Sequence, residues 1–474
     1  MARGLILKGN PISASEKPNI IFMVADDHGP WAFGAGGDPN ARTPHLDRLA
    51  AAGGVLRRHF SMSAVCSPAR ACLITGRHST EHGIPDYLPK ESRREGAGIG
   101  LEPGLATWPQ CLQEAGYATA LFGKWHLGGQ DRHHPTRHGY REFKGWRFGA
   151  GISKDPVVEI DGEDRKVAGY TPDIITDYAT DFIRRCQDVP FLVSLHFWAP
   201  HANTGVTTSD GDRTWHPLKD EDWAPFKDTD PVIPNPGFPK LDIPRVKRMM
   251  REYLAAVHSV DRNVGRLTAL LEELGLDRNT IVVYTSDNGY SIGHHGIWHK
   301  GNGRWILTDN RDGPRPNLYD NSLRLPAIVR WPGVVPPGSE YQQVLTSLDW
   351  FPTLCAAAGA DVPDEKVRGR DMRGVFKGAA EHWDDDLFAQ YEMWDWNQTG
   401  ASLRTYRTPH WKLIRDFRST VRDELYYLHD DPLECRNIID VKESQVQKHR
   451  ALLNEKLLDR MQRIDDPALI HIKG

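Results

Sequence analysis

Short apolar, β-branched runs alternate with longer amphipathic stretches along most of this chain, the pattern of parallel strands joined by helices and covered on both faces. The runs NIIFMVA (Asn19–Ala25), ATALF (Ala118–Phe122), FLVSLHF (Phe191–Phe197) and TIVVYT (Thr280–Thr285) read as strands, each short and followed at once by polar residues. Lys247–Gly275 is amphipathic with a glycine stop and predicts a long helix. Between 202 and 245, Pro217, Pro225, Pro231, Pro234, Pro236, Pro239 and Pro244 leave little room for regular structure. So long a loop reads as a lid or a binding wall. Past about residue 380, short runs with turn signals, including HWKLIRDF and ELYYLHDDP, predict a small antiparallel sheet and a terminal helix. The expected fold class is α/β: a large mixed, mostly parallel sheet flanked by helices, with a smaller C-terminal antiparallel-sheet subdomain. The expected division is a tail at 1–18, the α/β domain at 19–380 and the C-terminal subdomain at 381–474.

A chain of 474 residues suits such a division, because a single hydrophobic core stops growing at roughly 250–300 residues. The 39% apolar and 26% charged residues, with 33 prolines and 43 glycines, are those of a globular protein with long loops. A formal net charge of -4 leaves no electrostatic footprint for nucleic acid. No run reaches the roughly 18–20 apolar residues of a membrane span. MARGLILKGNPISASEKP at the start lacks the apolar stretch of about 7–15 residues that marks a secretory signal. Six cysteines, Cys66, Cys72, Cys111, Cys186, Cys355 and Cys435, show neither CxxC spacing nor the density of a disulfide scaffold.

Each predicted strand delivers a polar cluster just past its carboxyl end: Asp26-Asp27, Gly123-Lys124-Trp125-His126, Pro200-His201 and Asp287-Asn288. In open parallel sheets that edge is where ligands bind. Any one cluster is ordinary turn chemistry; four at one edge point to a site. Asp26, Asp27, Asp287 and Asn288 offer only oxygens, which selects a hard cation, calcium before magnesium, over zinc or copper. Without a cation, carboxylates so crowded repel one another and one takes up a proton at a raised pKa. Cys66-Ser67-Pro68-Ala69-Arg70 opens a helix, with Pro68 tolerated in its first turn. Cys66 then sits where free N–H groups and partial positive charge suit an anionic substrate. On these grounds it is either a low-pKa nucleophilic thiolate or a small buried side chain.

Cys66-Ser67-Pro68-Ala69-Arg70 with Leu73 and Thr75-Gly76-Arg77, together with Gly123-Lys124-Trp125-His126-Leu127-Gly128, resembles the two signatures of type I, formylglycine-dependent sulfatases of the alkaline phosphatase superfamily. The resemblance runs from the aspartate pair through SDNGYSIGHHGIWHKGN to Glu424-Leu425-Tyr426 and Asp431-Pro432. It implies that a separate formylglycine-generating maturation enzyme oxidises Cys66 and that the product is hydrated to a geminal diol. The second hydroxyl of that diol, once deprotonated, expels sulfate and regenerates the aldehyde. The resemblance also implies one calcium ion per chain, with magnesium second, held by Asp26, Asp27, Asp287, Asn288 and modified Cys66. It assigns Arg70 to orienting the diol and Lys124 and Lys300 to binding sulfate oxygens. His201 would protonate the leaving oxygen and His126 would deprotonate the second hydroxyl. His295-Gly296, Gly301 and Asn302 around Lys300 match the family pattern, while His196 and His258 read as packed, structural residues.

Two features depart from that pattern: Tyr319-Asp320 stands where the family has Tyr-Glu, and a longer insertion, Gly303–Asn317, precedes it and could reshape the substrate entrance. The expected substrate is a sulfated small molecule or oligosaccharide, a carbohydrate in particular. Trp125, Trp198, the His201–Thr204 segment, the 202–245 loop, Trp394-Asp395-Trp396-Asn397-Gln398 and Arg404 are its candidate contacts, since tryptophan faces stack on sugar rings and polar side chains direct hydrogen bonds to hydroxyls. A pocket closed by a long loop favours chain ends or short oligosaccharides. The family suggests a periplasmic or secreted protein. The rival readings are a formylglycine-dependent phosphodiesterase or phosphonate monoester hydrolase, and a non-catalytic glycan-binding homologue never matured at Cys66.

Overall fold

The structure described here, a computed structural model, covers residues 17–472 apart from 90–97, 150–151, 204–214, 310, 312, 364–365, 380–381 and 395–399. Most of the expected tail, Thr204, and Asp395, Trp396, Asn397 and Gln398 therefore lie outside the described residues.

A ten-stranded sheet forms the centre. From edge to edge its strands are Ser339–Thr346, Gly54–Phe60, Ile328–Arg330, Thr280–Ser286, Asn19–Ala25, Phe191–His196, Ala118–Lys124, Glu142–Trp146, Val157–Ile160 and Glu163–Lys166. The five from Thr280–Ser286 to Glu142–Trp146 run parallel, and Ile328–Arg330 is antiparallel to both its neighbours. The four strands read from the apolar runs are the middle of this sheet. Asn19–Ala25 has the expected limits, Ala118 runs on to Lys124, Phe191 stops at His196 and Thr280 runs on to Ser286.

Successive side chains of a strand point to opposite faces, and both faces here are dry. Ile20, Phe22 and Val24 join a core with Trp108, Trp350 and Leu354, while Ile21, Met23 and Ala25 join another with Val260, Val264 and Leu267. That second face is covered by the long helix Ile243–Glu273, which starts before the expected Lys247 because the Asp242 carboxylate accepts from Arg245 N at 3.1 Å and Pro244 fits the first turn. The 202–245 stretch is as irregular as its prolines imply: its described part before that helix holds the four-residue helix Asp220–Trp223.

Two small antiparallel sheets flank the large one. Ser291–Ile292, Ile297–His299, Asn302–Trp305 and Pro314–Pro316 make the first, which the sequence pattern did not predict. The second is the expected C-terminal sheet, Leu387–Met393, Ala401–Arg407, Trp411–Asp416 and Glu424–Tyr427, backed by helix Ser444–Arg463. Phe388, Tyr406, Leu413 and Leu425 face that helix, and Leu387, Ala389, Tyr391 and Leu403 face the α/β domain.

Arg404, expected at the substrate, belongs to this C-terminal core. It is fully buried, bonded through Nε and Nη2 to Asp466 at 2.6 and 2.7 Å and through Nη1 to Glu392 at 2.7 Å. A buried cation takes its counter-charge with it, so Arg404 locks residues beyond the terminal helix onto the sheet and has no face for a ligand. Removing one member of a buried pair strands the other charge, at about 3 kcal/mol or more. Asp466→Ala is therefore expected to lower unfolding free energy by about that amount, read as a reduced urea midpoint with unchanged slope; an unaltered midpoint would contradict the lock.

Candidate active site

Past Ala25 the chain turns through Asp26 and Asp27, with Asp27 in the left-handed region at φ 69. Asp27 N donates to Asp287 Oδ1 at 3.2 Å and Asn288 Nδ2 donates to Asp27 Oδ1 at 2.8 Å, tying the ends of two adjacent strands together. Tyr253, on the long helix, donates its hydroxyl to Asp27 O at 2.7 Å and accepts from Gly29 N at 2.8 Å, which pins the turn from behind. Oxygens of Asp26, Asp27 and Asp287 lie within 4.8 Å of one another, all buried. Asp27 Oδ2 and Asn288 Oδ1 are buried with no hydrogen-bond partner.

Three cations meet these three carboxylates. Lys124 Nζ contacts Asp26 and Lys300 Nζ contacts Asp27, both lysines nearly fully buried. Arg70 donates Nε to Asp287 Oδ2 at 2.9 Å and Nη1 to Lys124 O at 3.1 Å, while Nη2 has no hydrogen-bond partner. Cys66 opens the helix Cys66–Thr75, every residue of which is buried. Its thiol lies 3.3 Å from Asp26 Oδ1 and accepts from Lys300 Nζ at 2.7 Å.

Burial opposes ionised carboxylates, yet Lys124, His201 and Arg70 hold Asp26 well below the usual carboxylate range. Lys300, His201 and His299 likewise hold Asp27 down against its burial. Cys66 behaves oppositely: burial pushes the thiol up and Asp26 adds to the rise, outweighing the two lysines. A thiol in that position is protonated at neutral pH, so a low-pKa thiolate is not the resting state of Cys66.

His201 and His126 face this cluster differently. His201 stacks on Trp198 with ring centroids 5.7 Å apart, and its Nδ1 bonds Ala202 O at 2.8 Å. A carbonyl can only accept, so Nδ1 carries the proton of the neutral ring and Nε2, 3.6 Å from Asp27 Oδ2, is the end turned to the site. His126, at φ 60, bonds Leu88 O through Nε2 at 2.9 Å, leaving buried Nδ1 with a lone pair and no partner. Burial, with Lys124, keeps its pKa well below the ordinary histidine value. Gly149 lies against this ring, where a Cβ would fall 2.3 Å from it.

The structure thus brings together Asp26, Asp27, Cys66, Arg70, Lys124, His201, Asp287, Asn288 and Lys300, with His126 beside them. It does not bring Trp125 there: that indole is 1% exposed, donates Nε1 to His133 O at 2.7 Å and packs against Tyr140. Trp198 is 4% exposed and stacked on His201, so it supports the histidine and leaves no open face for a sugar. His196 is structural as read: its Nδ1 lies 3.1 Å from Lys124 O, to which it donates in the Nδ1–H tautomer, and beside Arg70 Nη1, which donates to the same carbonyl. His258 is not core; it is partly exposed against Arg42 O, remote from the cluster. Two supporting groups went unread. Tyr253 gave no sign because a tyrosine on the buried face of a helix looks like packing. His299, edge-on to His201 at 6.3 Å, had the signal of adjacency to Lys300.

The sulfatase family profile matches residues 18–360, and that of N-sulphoglucosamine sulphohydrolase, C-terminal, matches residues 312–463. An N-acetylglucosamine-6-O-sulfatase of Bacteroides thetaiotaomicron is 28% identical, with 95% of this chain and 87% of that protein covered. A steryl-sulfatase of Rattus norvegicus is 28% identical over 79% of this chain and 73% of its own length. A solved structure in complex with its substrate D-glucosamine-2-N,6-O-disulfate superposes with a TM-score of 0.78 at 25% identity, covering 95% of this chain and 99% of the other. With the family profile spanning most of the sheet and every strand end that carries the cluster, this chain belongs to the sulfatases and is a sulfuric ester hydrolase.

Proposed function

We propose that the protein removes sulfate from a sulfated carbohydrate, using a formylglycine hydrate made from Cys66 beside a calcium ion. The observation that carries the reading is the buried carboxylate cluster, with Asp27 Oδ2 and Asn288 Oδ1 accepting no hydrogen bond, next to the Cys66 side chain at a helix start. An all-oxygen donor set of this charge fits a hard divalent cation, and Asp26, Asp27, Asp287 and Asn288 would hold it. When bound, that ion lowers the pKa of the hydrate hydroxyl and polarises a sulfate oxygen.

The remaining steps fall to the chain's own side chains. Arg70, fixed through Nε by Asp287 and through Nη1 by Lys124 O, would orient the hydrate through Nη2, which makes no hydrogen bond of its own. With the carboxylates engaged by a cation, the Lys124 and Lys300 ammonium groups neutralise sulfate oxygens in a water-poor site, where such charges act strongly. His201 would deliver a proton from Nε2 to the departing sugar oxygen only as the imidazolium, after Nε2 has taken up a second proton beside Asp27, while Nδ1 keeps its own on Ala202 O. His126 Nδ1, with its free lone pair, takes the proton from the second hydroxyl. The carbohydrate preference rests on the glucosamine-6-O-sulfatase relative and on the neighbour bound to a glucosamine disulfate.

Cys66→Ala is expected to cut turnover of nitrophenyl sulfate by about 10⁴-fold or more while leaving thermal unfolding intact, as loss of a nucleophile does elsewhere; wild-type rates in that variant would sink the mechanism. Chelation, or Asp287→Ala, should abolish activity, and calcium should raise the Tm of wild type but not of Asp287→Ala, because a ligand held only by the folded state stabilises it. Full activity of cation-free protein would refute the metal site. Across a panel of sulfated saccharides, a steroid sulfate, nitrophenyl sulfate and a phosphonate monoester, the highest kcat/KM is expected on a saccharide. A best substrate from any other class overturns the carbohydrate assignment.

A further inference from the structure

The inserted hairpin alters what lies beside Lys300. In its register Trp298 pairs with Arg304, Arg304 with Pro314 and Asn302 with Pro316. Alternation along the strands puts Trp298, Asn302, Arg304 and Pro314 on one face, and that face lines a depression of about 380 Å³. Arg245 at the start of the long helix, the hairpin residues Trp305, Arg311 and Gly313, and Met393 of the C-terminal sheet also line it, the Arg311 guanidinium lying 4.1 Å from the Trp305 ring centroid. Arg304 and Arg311 are exposed. Among the described residues no carboxylate pairs with Arg245, Arg304 or Arg311, and Arg245 Nε is buried without a partner. That contrasts with Arg147 and Arg404, each held by two acids, and with Arg262, held by three.

This depression adjoins the reaction centre. Asn302 Oδ1 bonds His299 Nδ1 at 2.7 Å, and His299 meets His201 edge-on, with Lys300 between the two residues in sequence. Lys300 and the depression therefore share one hairpin, with Asn302 belonging both to the lining and to the bond with His299.

We propose that this face is a subsite for a second anionic group, a carboxylate or a further sulfate, borne by the saccharide that carries the target sulfate. The inference rests on the carbohydrate-sulfatase reading and deepens it. Guanidinium forks match carboxylate and sulfate oxygens two at a time, and the stacked Arg311 loses little freedom on binding. The half-buried Trp305 offers apolar surface to the ring between the two anions. Three arginines without acidic partners repel one another, and an anion among them relieves that repulsion.

The test compares matured wild type, Arg304→Gln, Arg311→Gln and the double variant on sulfated disaccharides that differ only in the neighbouring sugar. One has a uronic acid there, one its neutral uronamide, one a sulfated hexose and one a plain hexose; nitrophenyl sulfate runs in parallel. Wild type should favour an anionic neighbour by roughly tenfold or more in kcat/KM, with the preference shrinking as salt rises. The double variant should lose most of that preference. Whichever of the uronic acid and sulfated hexose arms shows it identifies the anion. Calorimetric binding of the same disaccharides with the target sulfate removed gives the same comparison without catalysis. If wild type ignores the neighbour's charge, or if the double variant keeps the preference, the subsite is overturned. Failure to hydrolyse nitrophenyl sulfate would instead count against the sulfatase chemistry, and the binding comparison would still decide the subsite.

Discussion

Everything at the strand ends depends on a charge balance in a nearly dry place. Asp26, Asp27 and Asp287 set three negative charges against the three positive ones of Arg70, Lys124 and Lys300. Neither set is tolerable alone, because buried ions without counter-charges are costly by several kcal/mol each. Together they make a neutral cluster that can be buried, and each acid has its own cation. Under the proposed metal site, a divalent ion would tip that balance to a net positive charge suited to an anionic sulfate ester, and the lysines would exchange carboxylate partners for sulfate oxygens.

The sheet makes that balance possible by bringing distant residues to one edge with little side-chain reach. Lys124 O is close enough to bond both Arg70 and His196 because the backbone ahead of it is glycine at φ 106. A Cβ on Gly123 would meet His196 O at 2.0 Å, and one on Gly145 would meet Gly123 O at 1.9 Å. Three adjacent strand ends are packed here more closely than any side chain allows. Arg70 spans them from the buried helix, which makes its guanidinium a brace as well as a ligand-facing group.

The apolar runs and the polar residues after them made the central strands and most of the cluster legible, since burial on both faces and a polar turn are local properties of the chain. What was not local went unread. Trp125 follows Lys124 directly, but its ring turns back into the core beneath the sheet, and only the packing around His133 and Tyr140 decides that. Arg404 looked like a free cation because its partner Asp466 lies 62 residues on. The sheet beside Lys300 escaped because its strands are two to four residues long and carry Gly303, Pro314 and Pro316 where strand patterns are sought. Its register comes from the loop that carries Lys300, not from propensity.

The C-terminal subdomain bears on the site through packing. Val65 and Cys72, at the entry and in the body of the Cys66–Thr75 helix, share a core with Leu387, Ala389 and Tyr391, and Gln390 Oε1 accepts from Ser79 and Thr80 just past that helix. The helix is buried on every side because the C-terminal sheet covers the flank that the large sheet leaves open. Asp320, which departs from the family's glutamate, sits at this junction, bonding Arg407 at 3.0 Å and Lys412 at 2.8 Å while its own N–H donates to Glu434 at 2.6 Å. Aspartate is the shorter acid, so it can meet both cations only if the C-terminal sheet comes close. The departure therefore concerns how tightly the two units clasp, and through that clasp how firmly Cys66 is held at the head of its helix.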